Sequence, residues 1–325
     1  MRCVKVKEPG GPDVLEIVEL PDPKPGSGQL LVRNFAAGLN RADLLQRRGL
    51  YPPPAGESDI LGLEFAGEVA AVGESVEGFS RGDRVFGLCG GGAYAEFLVV
   101  DARLAVSIPS NMSYESAAAA PEAFYTAEDG LFSLGGLEEG QTVLVHAGAS
   151  GVGTAAIQLA TAAGARVIAT AGTAEKAAAC EELGAAAGVN YRERDFAEAV
   201  AGLTGAEGVD LVLDLVGASY WDRNIDCLRV GGRMVLLGLL GGARAEVNLG
   251  AVLSKRLSII GSVLRGRSVE EKAEVTARFR ERTLPLLESG ELKTVVDSIL
   301  PFEDVRQAHE RMEENLNTGK IILRL

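Results

Sequence analysis

The sequence has few of the residues that metal sites and nucleophilic sites require. Only two histidines and four cysteines occur among the 325 residues, and no two cysteines lie at CxxC or CxH spacing. Neither a cysteine-rich zinc site nor a disulfide framework is therefore indicated, and reduced thiols are expected. A Ser-His-Asp triad would have to use His146, which we expect in the core at a strand end, or His309, which we expect in solvent among the charges of a C-terminal helix.

Positive charge and long apolar runs are also scarce. Lysine and arginine number 32 against 45 aspartates and glutamates, which gives a formal net charge of −13. This balance argues against a surface that binds nucleic acid or an anionic membrane. No apolar run approaches the ~20 residues of a membrane helix, and residues 1–8 lack the apolar stretch of a signal peptide. We expect a soluble cytoplasmic protein.

The length and the hydrophobic patterning predict two domains. A single core seldom serves a chain of this size. Residues 1 to about 120 alternate between apolar and polar positions with glycine- and proline-rich turns, which is typical of antiparallel strands. The middle of the chain alternates strands with helices, as in a doubly wound parallel sheet, with six strands at 142–146, 166–170, 188–191, 211–214, 232–237 and 257–260. The last residues predict a helix over Val269–Glu288, a helix near Phe302, and a closing strand at 319–324 that returns to the first domain.

The most informative local motif is a glycine-rich turn between the first of these strands and a helix. It contains Gly148, Ser150, Gly151, Val152 and Gly153. Such a turn brings backbone N–H groups and the positive end of a helix against a pyrophosphate, and small residues permit the close approach. Ser150 replaces the central glycine of G-x-G-x-x-G, and its hydroxyl is itself a candidate phosphate ligand. The alternative is a strand–helix turn without a ligand.

The end of the second strand of this sheet suggests which coenzyme is used. An acid that binds the adenosine ribose normally stands about 20 residues after the glycines. Here the strand end reads Ala169-Thr170-Ala171-Gly172-Thr173, and Glu175 already belongs to the next helix. Lys176 follows and is suited to pair with a 2′-phosphate, although a solvated surface lysine is the alternative. The sequence therefore favours NADPH over NADH.

Several segments together resemble a known family. Glu122–Ala127, the Gly148–Gly153 turn with Gln158, and Lys176 with Asn190-Tyr191 resemble the quinone oxidoreductase (zeta-crystallin) family of medium-chain dehydrogenases/reductases. The stretch from His146 to Leu159, with Gly217–Trp221 and Gly319–Ile322, resembles its stress-inducible NADPH quinone oxidoreductase subgroup. The resemblance covers essentially the whole chain. It implies an α/β fold, with a Rossmann domain at 123–262 and a GroES-like, β-rich catalytic domain formed by 1–122 and 263–325.

Comparison with zinc-dependent relatives predicts no metal. Asn40 stands where they have a cysteine ligand, and Leu63 stands where a Gly-His-Glu motif has its histidine. Of the four cysteines of their structural zinc loop, only Cys89 is present. Glu64 alone cannot complete the three or four ligands that zinc needs.

The resemblance also implies the site residues. It places Asn40, Tyr51 and Thr126 around the nicotinamide, with Tyr51 or Asn40 as the catalytic hydrogen-bond partner of an acceptor oxygen. For Tyr51, packing beside a rigid loop is an equal alternative. Tyr191 is implied near the cofactor phosphates with Gly172, Thr173 and Lys176, and the rest of the groove is lined by Val216, Gly238, Leu239, Leu264 and Lys320. Glu128 and Asp129 are more acidic than the family pattern and are expected to point to solvent.

These observations predict an NADPH-dependent, zinc-independent quinone reductase. Quinones accept hydride readily because the product is aromatic, so the enzyme mainly has to juxtapose the reactants. Two alternatives remain: reduction of activated C=C bonds in enals or enones, and an NADPH-binding protein with little turnover. The exposed edge strand at 257–260 and the resemblance favour a homodimer.

Overall fold

The computed structural model describes all residues from Met1 to Leu325. They form two compact units. The first unit is Met1–Tyr125 together with Leu264–Leu325, and the second unit is Thr126–Val263. None of the helices combines the length and the apolar character that a membrane span requires.

The N-terminal part of the first unit is rich in antiparallel strands. Its longest strand pairs with three others, two from this part and one from the C-terminal segment, and alternates buried residues, such as Leu30 and Val32, with the exposed Arg33. This alternation places one face of the sheet on the apolar core. The elements in chain order are β1 (Arg2–Val6), β2 (Leu15–Glu19), β3 (Gln29–Gly38), α1 (Arg41–Arg47), β4 (Glu64–Val72), β5 (Arg84–Leu88), β6 (Phe97–Asp101), β7 (Ala105–Ser107), α2 (Tyr114–Ala118) and α3 (Pro121–Glu128).

The second unit is a Rossmann sheet. Its strands are β8 (Thr142–Val145), β9 (Arg166–Ala171), β10 (Ala187–Asn190), β11 (Val209–Asp214), β12 (Leu228–Leu236) and β13 (Ser258–Gly261). All pair in parallel in the order β10-β9-β8-β11-β12-β13, which confirms the predicted doubly wound sheet. The helices between them are α4 (Gly151–Ala162), α5 (Ala174–Glu182), α6 (Phe196–Leu203), α7 (Trp221–Cys227) and α8 (Leu249–Ser254).

The C-terminal segment completes the sheet of the first unit. Its elements are α9 (Val269–Arg282), α10 (Leu284–Ser289), β14 (Val296–Pro301), α11 (Val305–Glu313) and β15 (Lys320–Arg324). As predicted, the closing strand β15 returns to the N-terminal part, where it pairs with β3, and it also pairs in parallel with β14. The predicted single helix over 269–288 is wrong. It breaks at Thr283, because Pro285 lacks an N–H group and is tolerated only in the first turn of a new helix.

Two expectations about exposure are also wrong. Glu128 and Asp129 are 2% and 4% exposed rather than solvated, because α3 continues into a π-helical segment, Asp129–Leu134, that packs on the Rossmann sheet. His309 is fully buried. Its Nδ1 lies 3.0 Å from a guanidinium nitrogen of Arg47, which is a donor only, so Nδ1 accepts and Nε2 carries the hydrogen. Burial and the Arg47 charge lower the pKa of His309 to about 3.

His309 should therefore make folding sensitive to acid. The unfolded chain protonates this residue near pH 6.5 while the folded chain does not, so its contribution is complete above that pH and is lost as the pH falls. We expect the loss to reach about 1.4 kcal/mol at about pH 5.5. Urea unfolding of the wild type and of His309→Gln at about pH 7.5 and 5.5 measures this loss. The difference between the two proteins separates the contribution of His309 from that of the carboxyl groups, which both proteins share. Parallel pH dependences would contradict the neutral buried state.

Candidate active site

The glycine-rich turn of the second unit joins β8 to α4. Ser150 caps this helix, and its Oγ accepts the Gly153 N–H at 3.0 Å. The N–H groups of Gly151 and Val152 have no acceptor within the helix, because they belong to its first turn. A Cβ built on Gly153 would lie 2.3 Å from the Ala147 carbonyl oxygen, so only glycine permits this approach. The turn thus presents two backbone donors at a positive helix end.

A second group of predicted residues meets at the carboxyl ends of β9 and β10. Thr173 caps α5 by accepting the Lys176 N–H at 3.2 Å, which places Lys176 in the first turn of that helix. The Tyr191 hydroxyl covers Gly172, since a Cβ built there would lie 2.8 Å from it and 3.7 Å from Nε of Arg192. Arg192 was missed by the sequence analysis, although its position directly after Tyr191 was the available signal.

The loop after β11 contains another predicted position, Val216. The buried Asp214 carboxylate accepts the N–H groups of Val216 at 2.7 Å and Gly217 at 3.1 Å. Burial raises the pKa of Asp214, and these bonds oppose that effect. The Val216 carbonyl in turn accepts the Gly241 N–H at 2.7 Å, which brings the segment with Gly238 and Leu239 beside it. Leu239 is 56% exposed.

A buried chain of side chains behind this loop was not predicted. The Asn224 amide nitrogen donates to Asp214 at 3.1 Å, so its oxygen faces His146 Nε2 at 2.7 Å. Nε2 of His146 must therefore carry the ring hydrogen, while Nδ1 of His146 accepts a hydrogen bond from the Thr170 hydroxyl at 2.9 Å. Burial lowers the pKa of His146 to about 4, which keeps it neutral. Nothing in the sequence pattern links residues this far apart.

In the first unit, Asn40 and Lys320 meet at Glu64. Nζ of Lys320 donates to Glu64 Oε1 at 2.5 Å, to Asn40 Oδ1 at 2.6 Å and to the Leu39 carbonyl at 2.7 Å. Asn40 donates its amide to Glu64 Oε1 at 2.9 Å, and the Glu122 N–H donates to Oε2 at 2.8 Å. All three ammonium hydrogens of Lys320 are thus engaged within the protein. Lys320 therefore serves this cluster, and only its stem or backbone is left for lining a groove.

Asp43 holds Asn40 from the other side. Its carboxylate accepts the backbone N–H groups of Asn40 at 2.8 Å and Gly62 at 3.1 Å, and the Tyr94 hydroxyl at 3.1 Å. Burial raises the pKa of Asp43 to about 6 in spite of these bonds. The start of α1 and the segment before Leu63 are thereby tied to one carboxylate.

Tyr51 lies in a loop after α1 and is held by Arg265. The Arg265 guanidinium stands 5.3 Å from the centre of the Tyr51 ring, and its three donor groups bind Gly90 O at 2.9 Å, Gln46 Oε1 at 2.7 Å and Tyr51 O at 3.4 Å. Arg265 is only 5% exposed. No hydrogen bond engages the Tyr51 hydroxyl within the protein, and burial together with the Glu122 charge raises its pKa. Arg265 was not predicted.

Two further predicted residues stand apart from these clusters. Oγ1 of Thr126 is buried and has no hydrogen-bond partner in the protein. Leu264, which begins the C-terminal segment of the first unit, is 8% exposed. Around Asn40 and Leu63, as elsewhere in the structure, no group of three histidine, cysteine, aspartate or glutamate side chains is arranged to hold a metal ion.

Comparison with known proteins identifies the family. Residues 26–110 match the alcohol dehydrogenase GroES-like domain, which confirms the fold predicted for the first unit, and residues 151–281 match the family described as zinc-binding dehydrogenase. The chain is 37% identical to quinone oxidoreductase 1 of Escherichia coli, over 97% of this chain and 96% of that protein.

Solved structures agree with this relationship. The structure of Escherichia coli quinone oxidoreductase complexed with NADPH matches with a TM-score of 0.91 at 36% identity, over 100% of this chain and 99% of that one. A structure described as an NAD-dependent alcohol dehydrogenase matches with a TM-score of 0.90 at 36% identity over the whole of both chains. The chain therefore belongs to the quinone oxidoreductase family of the medium-chain dehydrogenase/reductase superfamily.

Proposed function

We propose that this protein is an NADPH-dependent reductase of quinones that works without a metal ion. The observation that carries the proposal is the pairing of two anion-binding features in the second unit. The Gly148–Gly153 turn offers backbone donors to a pyrophosphate, and the corner formed by Gly172, Lys176, Tyr191 and Arg192 offers polar and cationic groups to a 2′-phosphate. The Escherichia coli relative, whose structure was solved with NADPH, supports this choice of coenzyme.

The residues present fit a dinucleotide. Ser150, Gly151, Val152 and Gly153 would hold the phosphates, and the buried Thr126 hydroxyl, which lacks a protein partner, is suited to bind a polar group of the ligand. When bound, the nicotinamide supplies the hydride. The loops containing Val216, Gly238 and Leu239 would line the groove. In the first unit the Tyr51 hydroxyl is suited to donate a hydrogen bond to an oxygen of the acceptor, because it makes no hydrogen bond within the protein.

The absence of a metal is proposed from the chemistry of the side chains. Leu63, where zinc-dependent relatives have a histidine, is apolar and 1% exposed. The Asn40 amide binds Glu64 and Lys320, so the Lys320 ammonium supplies the positive charge beside Glu64. A site built in this way has a fixed cation of its own. The proposed reaction therefore suits acceptors, such as quinones, that need no Lewis acid.

Steady-state oxidation of NADPH with a panel of ortho- and para-quinones, with cyclohexenone for comparison, tests the proposal. Quinones should be reduced fastest. Faster reduction of cyclohexenone would point to C=C reduction, and NADPH binding without turnover on any acceptor would overturn the proposed activity. A cytoplasmic homodimer associating through the β13 edge is part of the same proposal, supported by the exposed Leu249 and Leu253 of the neighbouring α8.

Lys176 should determine the coenzyme preference. We expect NADPH to bind at least ~10-fold more tightly than NADH, which corresponds to about 1.4 kcal/mol. Lys176→Ala should weaken NADPH binding by a similar factor and leave NADH nearly unchanged, because only NADPH carries the 2′-phosphate. Calorimetric titration of both coenzymes measures this. Equal losses for the two would remove Lys176 from the 2′-phosphate site and would favour the NAD-dependent relative as the better guide.

Tyr51 should contribute only modestly to quinone turnover. Loss of a dedicated oxyanion donor usually costs ~100-fold or more, but a quinone is already electrophilic. We expect Tyr51→Phe to lower kcat for quinones by about tenfold at most, with placement providing most of the catalysis, and to affect an enone more. The measurement is kcat for both acceptors, with NADPH affinity checked separately. A thousandfold loss on quinones would instead make Tyr51 an essential acid.

A further inference from the structure

Glu122 adjoins the cluster of Asn40, Glu64 and Lys320, and its carboxyl group is not engaged. It lies in the first turn of α3 and is half-buried. Its backbone N–H donates to Glu64 at 2.8 Å, but no hydrogen bond or ion pair of the structure involves its carboxyl oxygens. Glu64 and Asp43, by contrast, each accept several hydrogen bonds and are fully buried. Glu122 alone is therefore free to exchange a proton.

The charges around Glu122 favour its protonated form. Burial raises the pKa of this carboxyl to about 7, and the nearby carboxylates of Glu64 and Asp43 act in the same direction. Lys320 and Arg265 oppose them, although Lys320 is already bound to Glu64. Burial raises the pKa of Tyr51, and the negative charge of Glu122 acts in the same direction.

Tyr51 is poorly suited to supply a proton. A hydroxyl whose pKa is raised above its ordinary value can donate a hydrogen bond, but forming the tyrosinate is costly. A general acid works best when its pKa lies near the operating pH. The side chain that meets this condition in the cluster, and that no other contact immobilises, is Glu122.

We propose that Glu122 is the proton donor that completes reduction of the acceptor, while Tyr51 only orients the acceptor oxygen. This role rests on the proposed quinone reductase activity. The hydride brings two electrons and one hydrogen to the acceptor and leaves an oxyanion. Glu122 then transfers its carboxyl proton to that oxygen, becomes a carboxylate near Arg265 and Lys320, and regains a proton from water before the next turnover.

The pH dependence of Glu122→Gln tests this assignment. With NADPH and phenanthrenequinone, wild-type kcat should fall as the pH rises through about 7, because the donor is lost. Glu122→Gln should be about tenfold slower than the wild type at about pH 6, show no such decline, and converge with the wild type at about pH 9. A merely structural role would lower the activity at every pH. Glu270→Gln, at a 71% exposed position in the first turn of α9, should follow the wild type.

A second readout does not depend on turnover. Infrared titration of the coenzyme-free protein should reveal a carboxyl group that ionises near pH 7 in the wild type and is missing in Glu122→Gln. If Glu122→Gln does not fold, Glu122→Asp provides the test. Its kcat should still decline as the pH rises, but the midpoint of that decline should lie at a different pH from that of the wild type. An unchanged midpoint there, or a wild-type decline retained in Glu122→Gln, would overturn the role of Glu122. A wild type that reduces no quinone would instead overturn the proposed function, whatever the infrared titration gives.

Discussion

Lys320→Met should lower the free energy of unfolding by about 3–5 kcal/mol, because it leaves the Glu64 carboxylate buried without its cation. Glu64 is inaccessible to solvent, and the Lys320 ammonium 2.5 Å away is the only cation paired with it. The amide of Asn40 and the backbone N–H of Glu122 would remain bound to Glu64, so they would hold the group in place without neutralising it. Urea unfolding, followed by circular dichroism, measures the loss.

Two controls separate charge burial from the loss of a side chain. Lys5→Met breaks the pair with Asp59, whose side chain is 72% exposed, and should change stability by less than about 1 kcal/mol. The double variant Glu64→Gln/Lys320→Met removes both charges and should recover part of the loss. If Lys320→Met is no more destabilising than Lys5→Met, the Glu64 cluster does not depend on its ion pair.

Gly153→Ala should weaken NADPH binding by at least ~100-fold, about 2.7 kcal/mol. The added Cβ would lie 2.3 Å from the Ala147 carbonyl oxygen and 2.6 Å from that of Gly148, and neither backbone atom can yield without opening the turn. Displacing the turn from the start of α4 would separate the two open N–H groups from the helix end that strengthens them. Equilibrium titration with NADPH measures this effect.

The matched control is another helical glycine. At Gly202 in α6 the nearest atom to an added Cβ is Nη2 of Arg194 at 3.7 Å, so Gly202→Ala fits without displacement. It should bind NADPH as the wild type does and gain up to about 1 kcal/mol in stability from helix propensity. Near-ultraviolet circular dichroism confirms that both variants are folded. Wild-type affinity in Gly153→Ala would remove the turn from the coenzyme site.

Local patterns carried most of the prediction of the second unit. A parallel strand buried on both faces appears as a short apolar run, and a glycine-rich turn between a strand and a helix marks where that helix begins. These features depend on residues close together in the sequence. The six strands of the doubly wound sheet and the Gly148–Gly153 turn could therefore be predicted from the sequence, whereas the order of the strands within the sheet is a finding of the structure.

Burial was the property that sequence patterns predicted least well. His309 and Asp129 stand among charged or polar neighbours, which is typical of an exposed segment, yet both are buried. The sequence of a helix shows which of its faces is polar. It does not show which element from elsewhere in the chain packs on that face. For His309 the covering group is Arg47 of α1, which is 262 residues away in sequence.

The sequence by itself determined the family, the fold, the glycine-rich turn and the replacement of two zinc ligands by Asn40 and Leu63. Each of these features can be recognised in a short contiguous motif. The tertiary structure decided how polar side chains are shared. It assigned Lys320 to Glu64 and Asn40, placed Arg265 over Tyr51, and left Glu122 without a partner. The physical reason is that the protonation state and the hydrogen-bond donors of a buried group depend on neighbours that folding brings together. Sequence patterns do not specify the distances between side chains that lie far apart along the chain.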